Sequence, residues 1–134
     1  MTLKPSPDPR PGPSRTALGR RGEDLAAQLL LREGYRLIDR NYRIRQGEID
    51  LIAEDGEILC FVEVRSKKDV TRGHPLETID RRKRGRILRA AEHYLATRRT
   101  DCDEHVRFDV ISIVYEPDLE ILLIQDAFDT GSDR

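Results

Sequence analysis

The segment that most constrains the fold is GEIDLIAEDGEILCFVEV, Gly47 to Val64. Two runs rich in Ile, Leu and Val flank Asp55-Gly56, a strong signal for a two-residue β-hairpin turn. This predicts strands over Glu48–Ala53 and Glu57–Val64. With Asp55 and Gly56 as the turn residues, Glu54 faces Glu57, Asp50 faces Phe61 and Glu48 faces Glu63. Directly opposed residues share a face, so Glu48, Asp50 and Glu63 fall on one side of the sheet. In that register Asp50 and Glu63 are diagonal neighbours, about 7–8 Å apart at the backbone and within reach of one cation. A hairpin that must help build a core thus carries three acids on one face.

The flanking segments give the architecture. Leu18, Gly22, Leu25, Ala26, Leu29 and Leu30 recur at helical spacing, predicting a helix over 18–33 closed by Gly34. Tyr35 to Ile44 reads as an irregular first strand. A second helix over Ile79–Arg98 carries the stripe Ile87, Leu88, Ala91, Tyr94 and Leu95. Strands over Val106–Tyr115 and Glu120–Gln125 turn at Pro117-Asp118. The order α-β-β-β-α-β-β predicts an α/β single domain, a central mixed sheet of about five strands flanked by helices. The helix between Val64 and Val106 provides a parallel crossover. The 134 residues suit one domain. Five of the seven prolines lie in residues 1–15, which read as a disordered tail. The domain is expected over 16–128, with 129–134 a polar tail.

Charge is distributed unevenly. The formal net charge is −1, but residues 1–100 carry 22 Lys/Arg against 15 Asp/Glu, whereas 101–134 carry 2 against 10. A basic working face and an acidic C-terminal part follow from this split. Cys60 and Cys102 form no CxxC pair and have no histidine at ligand spacing, which suits reduced thiols in a cytosolic protein. No segment approaches the ~20 apolar residues of a membrane span, and the N-terminus lacks a signal-peptide core. His74, His93 and His105 are scattered and read as surface or packing residues. GxSxG, P-loop and GxGxxG motifs are absent, which counts against serine-hydrolase and nucleotide-binding classes.

Acids crowded beside Phe61, Leu59 and Ile52 repel one another and resist ionising in low-dielectric surroundings. A divalent cation supplies the missing charge, and all-oxygen ligation suits Mg²⁺ or Mn²⁺. Asp50 and Glu63, helped by the Val64 carbonyl, are the expected ligands. The plain alternative is an edge strand whose acids face water. Glu23 lies on the margin of the first helix's apolar stripe and points toward the sheet. The second helix opens with RRKRGR, and residues 81–99 hold eight basic side chains and one acid. Arg81, Arg82, Arg84 and Arg86, with Arg43 and Arg45 ahead of the hairpin, make a footprint for a polyanion such as nucleic acid. Acids inside a basic frame are what metal-dependent phosphodiester cleavage requires.

Five motifs in order, G-x-x-GE at Gly19–Glu23, GEIDLIA, FVEVR, the Lys83 helix with AAEHYL, and RFDVI, resemble the YraN-like family of small bacterial proteins. The resemblance covers about Leu18 to Phe128. It implies a restriction-endonuclease-like fold, shared with the archaeal Holliday-junction resolvases. That superfamily uses a helix Glu, an Asp and an E-x-K signature to bind Mg²⁺ and cut nucleic acid. Residue by residue, the resemblance implies catalytic roles for Glu23, Asp50, Glu63 and Arg65, with Lys83 on the following helix. Arg65 stands where the superfamily has lysine. Arginine stays protonated, so it can offset negative charge but cannot serve as a general base. Activation of water then falls to the metal, or to Lys67 or Lys83. The expected function is a Mg²⁺/Mn²⁺-dependent endonuclease for structured or branched DNA, in the cytoplasm, with a homodimer as one admissible assembly. The rival is a nucleic-acid-binding module of the same fold without turnover.

Overall fold

The computed structural model describes residues 17–75, 79–98 and 105–128; the tails expected at 1–15 and 129–134 lie outside them. Seven elements follow in the expected order: α1 (Ala17–Arg32), β1 (Arg36–Ile44), β2 (Gly47–Asp55), β3 (Ile58–Lys67), α2 (Arg81–Arg98), β4 (His105–Val114) and β5 (Glu120–Ile124). Helix α1 ends where Gly34 takes a φ of +91°. Gly34 N–H donates to the Leu31 carbonyl and Tyr35 N–H to the Leu30 carbonyl, the paired bonds of a Schellman cap. Helix α2 begins two residues later than its sequence suggests, because Asp80 is its cap. The Asp80 carboxylate accepts a 2.9 Å bond from the Lys83 N–H, and its carbonyl accepts the Arg84 N–H.

The strands lie in the order β1-β2-β3-β4-β5. Only β3 and β4, joined through α2, run parallel; the other neighbours are antiparallel. The helices cover opposite faces. On one side Ala26, Ala27 and Leu30 of α1 pack on Leu51, Ala53, Cys60, Val62, Ile111 and Ile113. On the other, Ile87, Ala90, Ala91 and Tyr94 of α2 pack on Ile49, Ile52, Leu59, Phe61 and Phe108. The result is a three-layer α/β/α domain with a five-stranded mixed sheet.

The hairpin register differs from the sequence reading by two residues. Asp55 pairs with Ile58 and Leu51 with Val62, so Gly56 and Glu57, not Asp55 and Gly56, form the turn. Gly56 has a φ of +62°, the left-handed value required at the first central position of such turns. Asp55 stays in the strand, where its carboxylate meets Arg107 of β4 at 3.0 Å. Asp50 therefore faces not Phe61 but the neighbourhood of Glu63, and Glu48 no longer faces Glu63. A shift of two preserves the faces of the paired residues Leu51 to Asp55, whereas a shift of one would have reversed them.

Candidate functional site

The β2–β3 ladder stops at Leu51–Val62, although β2 begins at Gly47 and β3 runs on to Lys67. Alternation in β2 slips at the same place. Ile49 and Ile52, three residues apart, both join the α2-side core, while Leu51 faces α1. Asp50 sits at the slip, and its carboxylate replaces the missing ladder partner by accepting the Val64 N–H at 2.8 Å. In an extended strand a residue's N–H and C=O face the same edge, so the Val64 carbonyl turns into this gap too. Helix α1 closes the gap from the other side. A Cβ on Gly22 would lie 3.2 Å from the Ser66 hydroxyl, so glycine permits the close approach that brings Glu23 in.

Glu63 projects toward α2 and is 2% exposed. Its Oε2 is shared by two cations, Arg65 Nη1 at 3.2 Å and Lys83 Nζ at 3.3 Å. Its Oε1 is buried and, among the described residues, has no hydrogen-bond partner. An orphaned, buried carboxylate oxygen is unusual in a folded protein and calls for an explanation. Beside it, Asp50 keeps some solvent exposure as a residue, but its carboxyl group is desolvated and held well above the usual carboxylate range. Burial is the main cause, followed by the charge of Glu63 and, more weakly, the charge of Glu23 and the nearness of the Glu63 carboxyl as an acceptor for the Asp50 proton; the Val64 N–H pulls the other way. Glu23 itself is buried.

Lys83 reaches Glu63 because α2 crosses β2 at very short range. A Cβ on Gly47 would lie 1.9 Å from the Arg86 carbonyl oxygen, so only glycine fits there. At the rim, Glu48 lies 4.0 Å from Lys83 Nζ and 3.5 Å from Arg43 Nε. Arg43, read from sequence as a nucleic-acid contact, is thus engaged with Glu48. Arg45, Arg81 and Arg82 are exposed, and Arg84 and Arg86 partly so, around the same end of the domain. Lys67 is turned away: its Nζ donates to the Arg72 and Gly73 carbonyls at 3.1 and 3.2 Å, tying the loop after β3. Of the two lysines offered by the sequence, Lys83 is the one brought to the acids.

Among the described residues no group of three or more His, Cys, Asp or Glu side chains is arranged to hold a metal ion. The Asp50–Glu63 pair with the β3 main chain is a smaller donor set. It still fits a hard divalent cation, because every donor is oxygen and Glu63 Oε1 lacks a partner among the described residues.

A second polar cluster went unassigned in the sequence. Asp109, fully buried, accepts Arg107 Nε at 2.8 Å, Arg107 Nη2 at 2.9 Å, the Asp126 N–H at 2.9 Å and the Tyr35 hydroxyl at 3.1 Å. Its signal was available in RFDVI, where two charges interrupt a strand otherwise built for burial. His93 is exposed, and its ring hydrogen-bonds the Tyr42 hydroxyl.

The structure therefore defines a small α/β/α domain with an acid pair set under the basic N-terminal end of a helix. Residues 22–113 match the family model described as Uncharacterised protein family UPF0102, and the chain belongs to that family. A UPF0102 protein of Chlorobium limicola is 50% identical over 101 residues, covering 73% of this chain and 75% of the relative. Those of Prosthecochloris aestuarii and Persephonella marina are 45% and 46% identical, each covering 83% of this chain and 92% of the relative. No described helix is long and apolar enough to cross a membrane.

Proposed function

We propose that the protein is a Mg²⁺- or Mn²⁺-dependent endonuclease that hydrolyses phosphodiester bonds of structured or branched DNA. The observation that carries this reading is the buried Oε1 of Glu63, unpartnered among the described residues, beside an Asp50 carboxyl that resists ionisation. A proton shared between them removes one charge, whereas a cation joining them balances both. Asp50, Glu63 and the Val64 carbonyl would hold the cation, with Glu23 completing the acidic surround. A bound Mg²⁺ or Mn²⁺ supplies Lewis acidity toward a phosphate oxygen and lowers the pKa of a water. Arg65 and Lys83, both on Glu63 and partly exposed, hold positive charge where a phosphate would gather negative charge. Exposed Arg45, Arg81 and Arg82 hold the backbone on either side, without reading bases. The topology, with acids on the diverging β2 and β3, is consistent with a restriction-endonuclease-like fold.

A binding module without turnover is the second reading, and Arg65 favours it, because a permanently protonated side chain stands where the superfamily keeps lysine. Cleavage of duplex, single-stranded, flap and four-way-junction DNA, with Mg²⁺ or Mn²⁺, separates the two. Metal-dependent cutting that is lost in Asp50→Asn supports the enzyme. Retained DNA binding without cutting on any substrate supports the module.

A further inference from the structure

Lys83 stands between two carboxylates, 3.3 Å from Glu63 Oε2 and 4.0 Å from Glu48 Oε2. Glu63 is buried and Glu48 lies at the rim, with side-chain exposures of 2% and 34%. A divalent cation entering between Asp50 and Glu63 would draw on the same carboxylate that Lys83 neutralises, and would repel the ammonium. The helix backbone cannot easily follow, because the Asp80 cap and the Gly47–Arg86 contact fix its first turns. The lysine side chain can, since its charge rides on a flexible four-carbon stem. Glu48 stays in place, paired with Arg43 at 3.5 Å. Arg65, also on Glu63 Oε2, remains to balance that oxygen.

We infer that Glu48 is the acceptor onto which Lys83 moves when a divalent cation occupies Asp50 and Glu63. Lys83 then guards the acid pair in the metal-free protein and stands at the rim, where phosphate would lie, in the loaded one. Glu48 is a positioning residue: it acts through Lys83 and contacts neither metal nor phosphate. This inference rests on the acid pair being a cation site, and its test is built to fail separately from that reading.

The test is calorimetric titration of Mn²⁺ into the full chain and into Lys83→Met, Glu48→Gln and the double variant. Lys83→Met should bind Mn²⁺ about tenfold more tightly, because the competing ammonium is gone. Glu48→Gln should bind about five- to tenfold more weakly while Lys83 is present, and by less than about twofold in the Lys83→Met background, the mark of two residues acting together. Weakening by the same factor in both backgrounds, or none with Lys83 present, overturns the inference while leaving the cation site standing. No Mn²⁺ binding by the wild-type chain overturns both. Should Lys83→Met not fold, the Lys83 Cε resonance during Mg²⁺ titration carries the same test. It should move to a new sharp position in the wild type and broaden in Glu48→Gln; an unmoved wild-type resonance overturns the inference.

Discussion

Asp109 and Glu63 lie on neighbouring strands, are 0% and 2% exposed, and each meets an arginine two residues away on its own strand. Their surroundings differ in completeness. Both oxygens of Asp109 are used, by two Arg107 nitrogens, the Tyr35 hydroxyl and the Asp126 N–H. Tyr35 is in turn bonded by Gln125 and Arg107, at 2.9 and 2.8 Å. Among the described residues Glu63 meets two cations through one oxygen and has no hydrogen-bond partner for the other, which lies next to a second acid. A buried charge that serves architecture is fully satisfied; one left incomplete costs stability and points to a ligand. Substitutions at the two clusters should therefore act in opposite directions.

The largest effect is expected at Asp109. Asp109→Ala leaves Arg107 with Asp55 as its carboxylate partner and takes the acceptor from the Tyr35 hydroxyl and the Asp126 N–H, and should cost about 3 kcal/mol of unfolding free energy in urea. A loss below about 1 kcal/mol would erase the distinction between the clusters. Next in size, Gly47→Ala forces α2 off β2, since the new Cβ would meet the Arg86 carbonyl at 1.9 Å. We expect a cost of about 1–3 kcal/mol, together with altered Mn²⁺ affinity, because Lys83 moves with the helix while no acid is touched. An unchanged melting temperature would contradict the contact.

Asp50→Asn should do the reverse and leave the metal-free protein as stable or more stable at neutral pH. The asparagine oxygen can still accept the Val64 N–H, while the repulsion from Glu63 and Glu23 is gone. The pH dependence fixes the sign. The native Asp50 carboxyl holds its proton above the pH at which the unfolded chain releases it, near the usual value of about 3.9. Wild type should therefore lose stability relative to Asp50→Asn as pH rises from about 4 toward the raised native value, with no difference in acid. Paired melting curves across that range check it; a variant less stable than wild type at pH 7 would show that Asp50 is a structural acid like Asp109.

The smallest effect concerns Cys60, buried beside the Asp109 cluster. Burial, and next the charge of Asp109, push its thiol up to about 12. In a Cys102→Ser background, alkylation at pH 8 should be negligible in the folded protein and complete after unfolding. Ready labelling of the native chain would mean that this cluster opens.

The element order, the two helical stripes and the hairpin were legible because each rests on local periodicity or a local turn signal. The hairpin register was not. Asp55 looks like a turn residue, and what keeps it in the strand is Arg107, 52 positions along the chain. Since the displacement was even, the paired residues Leu51 to Asp55 kept their faces. The resemblance implied Lys83 as a site residue; its approach to Glu63, set by α2 lying against Gly47, depends on helix placement that no spacing reports. The choice of Lys83 over Lys67 was closed to sequence for the same reason. The Arg107–Asp109–Tyr35 network was visible only as two charges in an apolar strand, and its partners Tyr35 and Gln125 come from distant segments.

Occupancy of the Asp50–Glu63 pair by a cation is read out by anomalous diffraction from a crystal of the full chain equilibrated with millimolar Mn²⁺. We expect a peak about 2.1 Å from an Asp50 oxygen and from Glu63 Oε1, the oxygen-ligand distance of a small hard cation, and no such peak in Asp50→Asn. A wild-type crystal with no peak at the pair, or with Mn²⁺ held only by other residues, would contradict it.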